Sequence, residues 1–69
     1  MKTLWVVMVT EYARNGDEYP HIEGVFTTAS QAKRVIAELS RSRGLYPPYV
    51  ELERVTLYNT VKEFRERKP

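Results

Sequence analysis

The apolar run at residues 4–9 limits the fold of this chain more than any other segment. All six residues are apolar and most are β-branched or aromatic, which is typical of a strand. Alternation along a strand gives each face three large side chains, namely Trp5, Val7 and Val9 on one face and Leu4, Val6 and Met8 on the other. Because both faces are apolar, we expect a central strand with something packed on each side.

The length and composition restrict the class of protein. A chain of 69 residues forms one small domain, and its 42% hydrophobic and 29% charged residues are ordinary for a globular fold. The sequence has no cysteine and one histidine, so we expect no disulfide, no metal site and no cofactor. No apolar run reaches the roughly 18 residues of a membrane span, so we expect no membrane partner.

The first residues begin like a signal peptide, but no small-residue cleavage site follows the apolar run. The run passes directly into Glu11 and Tyr12. We therefore interpret it as a strand over residues 3–12 of a cytoplasmic protein.

A hairpin and a second strand are predicted next. Residues 14–17 contain Asn-Gly, which readily supplies the positive φ angles of a hairpin turn. Residues 21–27 form a weaker strand. Pro20 places this strand at a sheet edge, and Gly24 within it indicates a bulge or a close approach.

A helix is predicted over residues 28–43. Thr28 and Gln31 have the spacing of a capping box, and Gly44 is typical of a helix C-terminus. An apolar stripe at helical spacing is expected to face the sheet; it comprises Ala29, Ala32, Val35, Ile36 and Leu39.

The last third of the chain predicts a connector, a strand and a tail. Residues 45–48 end in two prolines and are expected to be extended. In the strand at residues 49–58 the apolar phase changes, which indicates a bulge near Glu53 and Arg54. Thr60 and Glu63 are expected to cap one short helical turn, and residues 62–69 are expected to fray.

These elements predict an α+β fold with the order ββαβ. The hairpin makes strands one and two antiparallel neighbours, and the helix crosses from strand two to strand three. The most apolar strand then takes the centre of a three-stranded sheet in the order 2-1-3. One helix covers one face of this sheet, and either the segment 61–64 or another chain covers the second face.

A catalytic site is not expected. His21 lies near Glu18 and Glu23, and such a pair can act as a general base. However, no Ser, Cys or second His is close to it in sequence to complete a nucleophilic or metal site. We interpret His21 as a surface residue of an edge strand and the protein as a non-enzyme.

Positive charge is concentrated in the helix. Residues 29–43 carry four cations against one anion, whereas residues 1–28 carry two against four and residues 44–69 carry five against four. This pattern predicts a basic face on the helix and tail, comprising Lys33, Arg34, Arg41, Arg65, Arg67 and Lys68. A basic face binds phosphates or acidic proteins, although a solvated helix surface has the same composition.

A protein-binding surface is the leading functional hypothesis. Apolar strand residues left uncovered by the helix, and tyrosines beside the prolines, are suited to recognition. The candidate binding residues are Trp5, Val7, Val9, Tyr46 and Tyr49, with Leu4, Val6 and Met8 as the alternative strand face. Such a surface predicts either a homodimer or a complex with a different protein.

The sequence resembles a group of small ββαβ proteins of bacteriophages and bacteria that mostly lack an assigned function. The resemblance covers about residues 3–58 and is carried by an apolar first strand, an Asn-Gly turn and three short segments: residues 23–28, Gln31-Ala32 and residues 49–53. It implies a phage accessory protein that modulates or inhibits a host protein, and it implies no catalytic residues. The alternative is a nucleic-acid-binding protein that uses the basic face.

Overall fold

The computed structural model describes residues 1–67. The element order is β1 (Lys2–Tyr12), β2 (Glu18–Phe26), α1 (Ala29–Arg43), β3 (Val50–Leu57) and α2 (Val61–Glu66). Lys68, which was assigned to the basic face, and Pro69 at the end of the tail lie outside the described residues.

The three strands form one sheet in the order β2-β1-β3. The central strand β1 is antiparallel to both neighbours, so β2 and β3 are parallel to each other and α1 connects them. This confirms the predicted α+β fold, with the most apolar strand in the middle and the proline-bearing strand at an edge.

The hairpin turn between β1 and β2 differs in type from the expected one. Gly16 N–H donates to the carbonyl of Ala13 at 3.0 Å, and Ala13 N–H donates to the carbonyl of Asp17 at 2.9 Å. Only Gly16 has a positive φ, +88°, in this turn. Asn15 instead accepts a hydrogen bond from Asp17 N–H at 3.0 Å on its side-chain oxygen. The turn is therefore a three-residue loop that needs one left-handed residue and not two.

The sheet contains a bulge, but it lies in β2 and not in β3. The register against β1 shifts at Glu23, next to the glycine where a bulge was expected. The pairing of β3 with β1 runs without a shift from Lys2 opposite Leu57 to Val9 opposite Val50. The bulge predicted at Glu53 and Arg54 is therefore wrong. The apolar phase changes there because the two halves of β3 direct apolar side chains to opposite faces of the sheet.

The core lies between α1 and one face of the sheet. Its buried residues are Val7, Val9, Ala32, Leu39 and Val50, with the half-buried Trp5, Phe26, Val35, Ile36, Leu45 and Leu52 packed around them. The predicted caps position α1. Thr28 accepts a hydrogen bond from Gln31 N–H at 3.3 Å, and Gly44 has the left-handed φ of +65°.

A short folded segment precedes β3, and another follows it. Before β3, Tyr49 N–H donates to the carbonyl of Tyr46 at 2.8 Å across a cis Pro47–Pro48 bond. This connector is thus a tight turn and not the extended segment that was predicted. After β3, Glu63 N–H donates to Thr60 Oγ1 at 3.1 Å and caps α2, which continues to Glu66.

None of the helices within residues 1–67 has the length and apolarity required to cross a membrane.

Candidate protein-binding face

The side of the sheet opposite α1 carries apolar residues on all three strands. Paired residues in an antiparallel sheet direct their side chains to the same face, so the register assigns each side chain. Leu4 lies opposite Val55, Val6 opposite Val25, and Met8 opposite Ile22. We call this surface the open face; its apolar residues are Leu4, Val6, Met8, Ile22, Val25, Val55 and Leu57.

The outer residues of the open face are largely accessible. Ile22 is 60% exposed, Val25 51%, Leu57 46% and Val55 41%, whereas Val6 at the centre is only 7% exposed. The neighbouring strands therefore shield the central residue, and β2 and β3 present the accessible apolar area. The short helix α2 does not cover this area, because it packs against none of the three strands.

The predicted alternative in which the C-terminal segment covers the second face is therefore not what the structure shows. Phe64 of α2 packs edge-on against Tyr58, with ring centroids 5.3 Å apart. Glu63 pairs with the N-terminal ammonium group of Met1 at 3.3 Å. Both contacts hold α2 at the end of the sheet, and Val61 remains exposed.

Acidic residues border the open face on the β3 side. Glu53 lies opposite Val6 and Glu51 opposite Met8, so both carboxylates stand beside the apolar centre. Neither has an ion-pair partner within residues 1–67. The β2 side carries Val25 and Ile22 at the same levels. At the levels of Val6 and Met8 the open face is thus apolar over β2 and negatively charged over β3, whereas Val55 and Leu57 make the rest of its β3 side apolar.

Two tyrosines close one end of the open face. The rings of Tyr12 and Tyr49 meet edge-on with centroids 5.2 Å apart, and Tyr12 Oη donates to Glu18 Oε1 at 3.2 Å. Partial desolvation and the adjacent Glu18 carboxylate raise the pKa of Tyr12, so its hydroxyl stays protonated and able to donate at neutral pH. Because its ring contacts Tyr12, Tyr49 belongs to the open face. Tyr46 is exposed on the connector between α1 and β3.

Three of the candidate binding residues lie on the other side of the sheet. Val7 and Val9 are fully buried beneath α1, and Trp5 is half-buried beside them. A partner could reach the two valines only by displacing the helix, so they are core residues. The alternation of β1 defines two equivalent apolar faces, and only the packing of α1 distinguishes them.

The accessible residues of the open face were not recognised in the sequence. Ile22, Val25, Val55 and Leu57 take part because the register places them beside the even-numbered residues of β1. For Val55 and Leu57 the change of apolar phase in β3 carried this information, since a straight strand with that pattern must present apolar side chains to both faces.

The basic residues do not form one continuous surface. Lys33, Arg34 and Arg41 are exposed on the outer side of α1, as predicted. Arg65 and Arg67 belong to the C-terminal segment, and α2 does not pack against α1. Arg67 lies over the Phe64 ring with its guanidinium carbon 3.6 Å from the ring centroid, and it also donates to the carbonyl of Phe64.

His21 belongs to a surface ion-pair network. Its Nε2 lies 2.9 Å from Glu23 Oε2, and Arg43 at the end of α1 contacts Glu23 at 3.3 Å and Glu11 at 3.1 Å. Arg43 thus links the last turn of α1 to β1 and β2, which is a structural role. In the part of the chain that the structure describes, no three His, Asp or Glu side chains are grouped as metal ligands.

Comparison of the chain with family models, with curated proteins and with solved structures found no match.

Proposed function

We propose that this protein is a non-enzymatic interaction domain that binds another protein through the open face. The observation that carries the proposal is the accessible apolar surface formed by Ile22 and Val25 on β2 and by Val55 and Leu57 on β3. An apolar centre with charged residues at its border is the usual composition of a protein–protein interface. In a chain this short, covering that surface also adds apolar burial that the fold alone does not provide.

The partner class follows from the resemblance to small phage and bacterial ββαβ proteins. That resemblance supports a regulatory role in which the protein modulates or inhibits a host protein in the cytoplasm. A homodimer, which the sequence also predicts, would cover the same surface with a second copy of the chain. Sedimentation equilibrium distinguishes it from binding to a different protein.

Capture from a lysate of the natural host tests the proposal. The tagged protein is compared with Val25→Glu, which adds a charge to the open face, and with Ala37→Glu, which adds the same charge to the exposed outer side of α1. We expect the wild type and Ala37→Glu to capture the same protein, with or without nuclease, and Val25→Glu to lose it. Circular dichroism verifies that both variants are folded. Capture that survives Val25→Glu would contradict the proposal.

The second candidate function is binding of nucleic acid. It is supported by the exposure of Lys33, Arg34 and Arg41 on the outer side of α1, where none of them has an ion-pair partner within residues 1–67. Capture that disappears after nuclease treatment would favour this candidate over the first.

A further inference from the structure

We infer that the open face binds an amphipathic helix of another protein, with basic residues along the flank of that helix that faces β3. This inference rests on the proposed function and specifies the chemistry of the partner. It follows from the width of the face, from the position of its carboxylates and from the consequences of pairing two copies.

The width of the open face fits one helix. Three strands spaced about 4.8 Å apart place the outer two about 10 Å from each other, and a helix with its side chains is about 10–12 Å across. The structure already shows this match on its opposite side, where the single helix α1 covers the same three strands. A helix along β1 would contact Met8, Val6 and Leu4 in turn.

The charges of the open face specify the flank of the bound helix. Over β2 the helix would meet Ile22 and Val25. Over β3 it would meet Glu51 and Glu53 at the levels of Met8 and Val6, and Val55 at the level of Leu4. These carboxylates are two residues apart on a strand, or about 6.7 Å, and residues i and i+4 of a helix are about 6 Å apart along its axis. Lys or Arg at positions i and i+4 of the partner would therefore pair with both carboxylates.

A second copy of this chain fits the open face less well. If two copies stack about a two-fold axis parallel to β1, Glu51 and Glu53 of each copy lie over the apolar β2 side of the other. If the axis runs across the strands at the level of Val6 and Met8, β3 lies over β3 and the carboxylates approach each other. In these two arrangements Glu51 and Glu53 leave water without a cation opposite them, because the one Lys of the open face within residues 1–67, Lys2, lies at the far end of β1. Removing charges from water without a partner is unfavourable. A basic helix avoids this cost.

Two designed helical peptides test the inference directly. Both carry the same leucine stripe and a fluorescent label, and they differ only in having Lys or Glu at positions i and i+4 of one flank. We expect the Lys peptide to bind about tenfold more tightly than the Glu peptide, because two exposed ion pairs are replaced by two repulsive contacts. The difference should shrink as salt rises from about 50 to about 300 mM, because the Debye length shortens.

Matched variants identify the site. Glu51→Lys with Glu53→Lys should reverse the order of the two peptides, whereas Glu38→Lys, on the exposed outer side of α1, should leave the order unchanged. Val25→Glu should weaken both peptides. Equal binding of the two peptides, or an order unaffected by the double reversal, would overturn the inference.

Two further results separate the inference from the proposed function. A wild-type dimer in sedimentation equilibrium that Val25→Glu dissociates would show that a second copy occupies the open face; the inference would fail and the protein-binding function would stand. The same holds if neither peptide binds but Val25→Glu still abolishes capture from the lysate. If Val25→Glu alters neither peptide binding nor capture, both the inference and the proposed function fail.

Discussion

The ring of Phe26 limits the size of the side chain that fits at position 24. A Cβ atom at this position would lie 2.8 Å from Phe26 Cε2 and 3.0 Å from Phe26 Cζ. The Phe26 ring packs against the core, so it cannot move away without loss of contacts. We expect Gly24→Ala to lower the free energy of unfolding by about 1–3 kcal/mol, the usual cost of overpacking, as measured by urea denaturation.

A double-mutant cycle identifies the cause of that loss. In a Phe26→Leu background the shorter side chain leaves room for the Cβ atom, so Gly24→Ala should be neutral or slightly stabilising, since alanine restricts the unfolded chain. Gly24 has an ordinary negative-φ backbone, so the test is not confused by conformational strain. An equal loss in both backgrounds would show that the Phe26 ring is not responsible.

The contacts of Glu63 predict that the stability of the C-terminal segment depends on pH. The hydrogen bond from Asn59 N–H at 2.9 Å and the ion pair with the Met1 ammonium group lower the pKa of Glu63. A lowered pKa stabilises the folded state at pH values above the ordinary pKa of the group. This stabilisation is lost as the pH falls through the lowered value.

We therefore expect the carboxyl group of Glu63 to titrate at lower pH in the native protein than in the urea-unfolded protein, as followed by NMR. The amide signals of α2 should change over the same pH range, and in Glu63→Gln that change should be absent. Identical titration in the native and unfolded protein would contradict the contacts described for Glu63.

At the scale of the element, α1 depends on a polar contact at its C-terminal end. Arg43 bridges Glu11 of β1 and Glu23 of β2 and so ties the last turn of the helix to the sheet. Because these side chains are partly exposed, we expect Arg43→Met to lower the free energy of unfolding by about 1 kcal/mol at low salt and by less at high salt. Urea denaturation at two salt concentrations measures both values.

Arg41→Met is the matched control for Arg43→Met. Arg41 is in the same last turn and has no ion-pair partner within residues 1–67, so its replacement should change stability by less than about 0.5 kcal/mol. If the two variants lose the same stability, the bridge to the sheet contributes nothing beyond the position of a cation at the helix C-terminus.

The elements themselves could be predicted from local sequence, but their faces could not. Thr28 and Gly44 mark the ends of α1 because capping depends on residues only a few positions apart. The choice of the face that α1 covers depends on packing between segments distant in sequence, and β1 is apolar on both sides. For that reason Val7 and Val9 were assigned to a binding surface although they belong to the core.

The accessible residues of the open face could not be identified from the sequence for a related reason. Val25 and Val55 reach the open face through the register of β1 with its two neighbours, and register is not visible in one strand alone. The bulge at Glu23 changes that register within β2 and places Ile22 on the open face. The bulge in β2 and the unshifted pairing of β3 with β1 together determine which apolar residues lie on the open face.

At the scale of the whole molecule, the surface of residues 1–67 has three separate regions of different chemistry. The open face is apolar with Glu51 and Glu53 at its border, the outer side of α1 is basic, and the C-terminal segment is basic but apart from α1. Protein binding and nucleic-acid binding would therefore use different sides of the sheet. We therefore expect substitutions on one side of the sheet to remove protein binding without altering nucleic-acid binding, and substitutions on the other side to do the reverse.

The separation of the basic regions limits how strongly nucleic acid can bind. Among the candidate basic residues within 1–67, only Lys33, Arg34 and Arg41 lie together, so we expect about three phosphate contacts and a log–log salt slope for duplex DNA of about −3. We expect a dissociation constant weaker than about 1 μM at about 150 mM salt, without sequence preference, in a titration of labelled DNA and RNA. Arg34→Glu with Arg41→Glu should abolish this weak binding, whereas Glu51→Lys with Glu53→Lys, on the open face, should not create a specific site. Sub-micromolar binding that the α1 double reversal abolishes would instead establish the outer side of α1 as the principal binding surface.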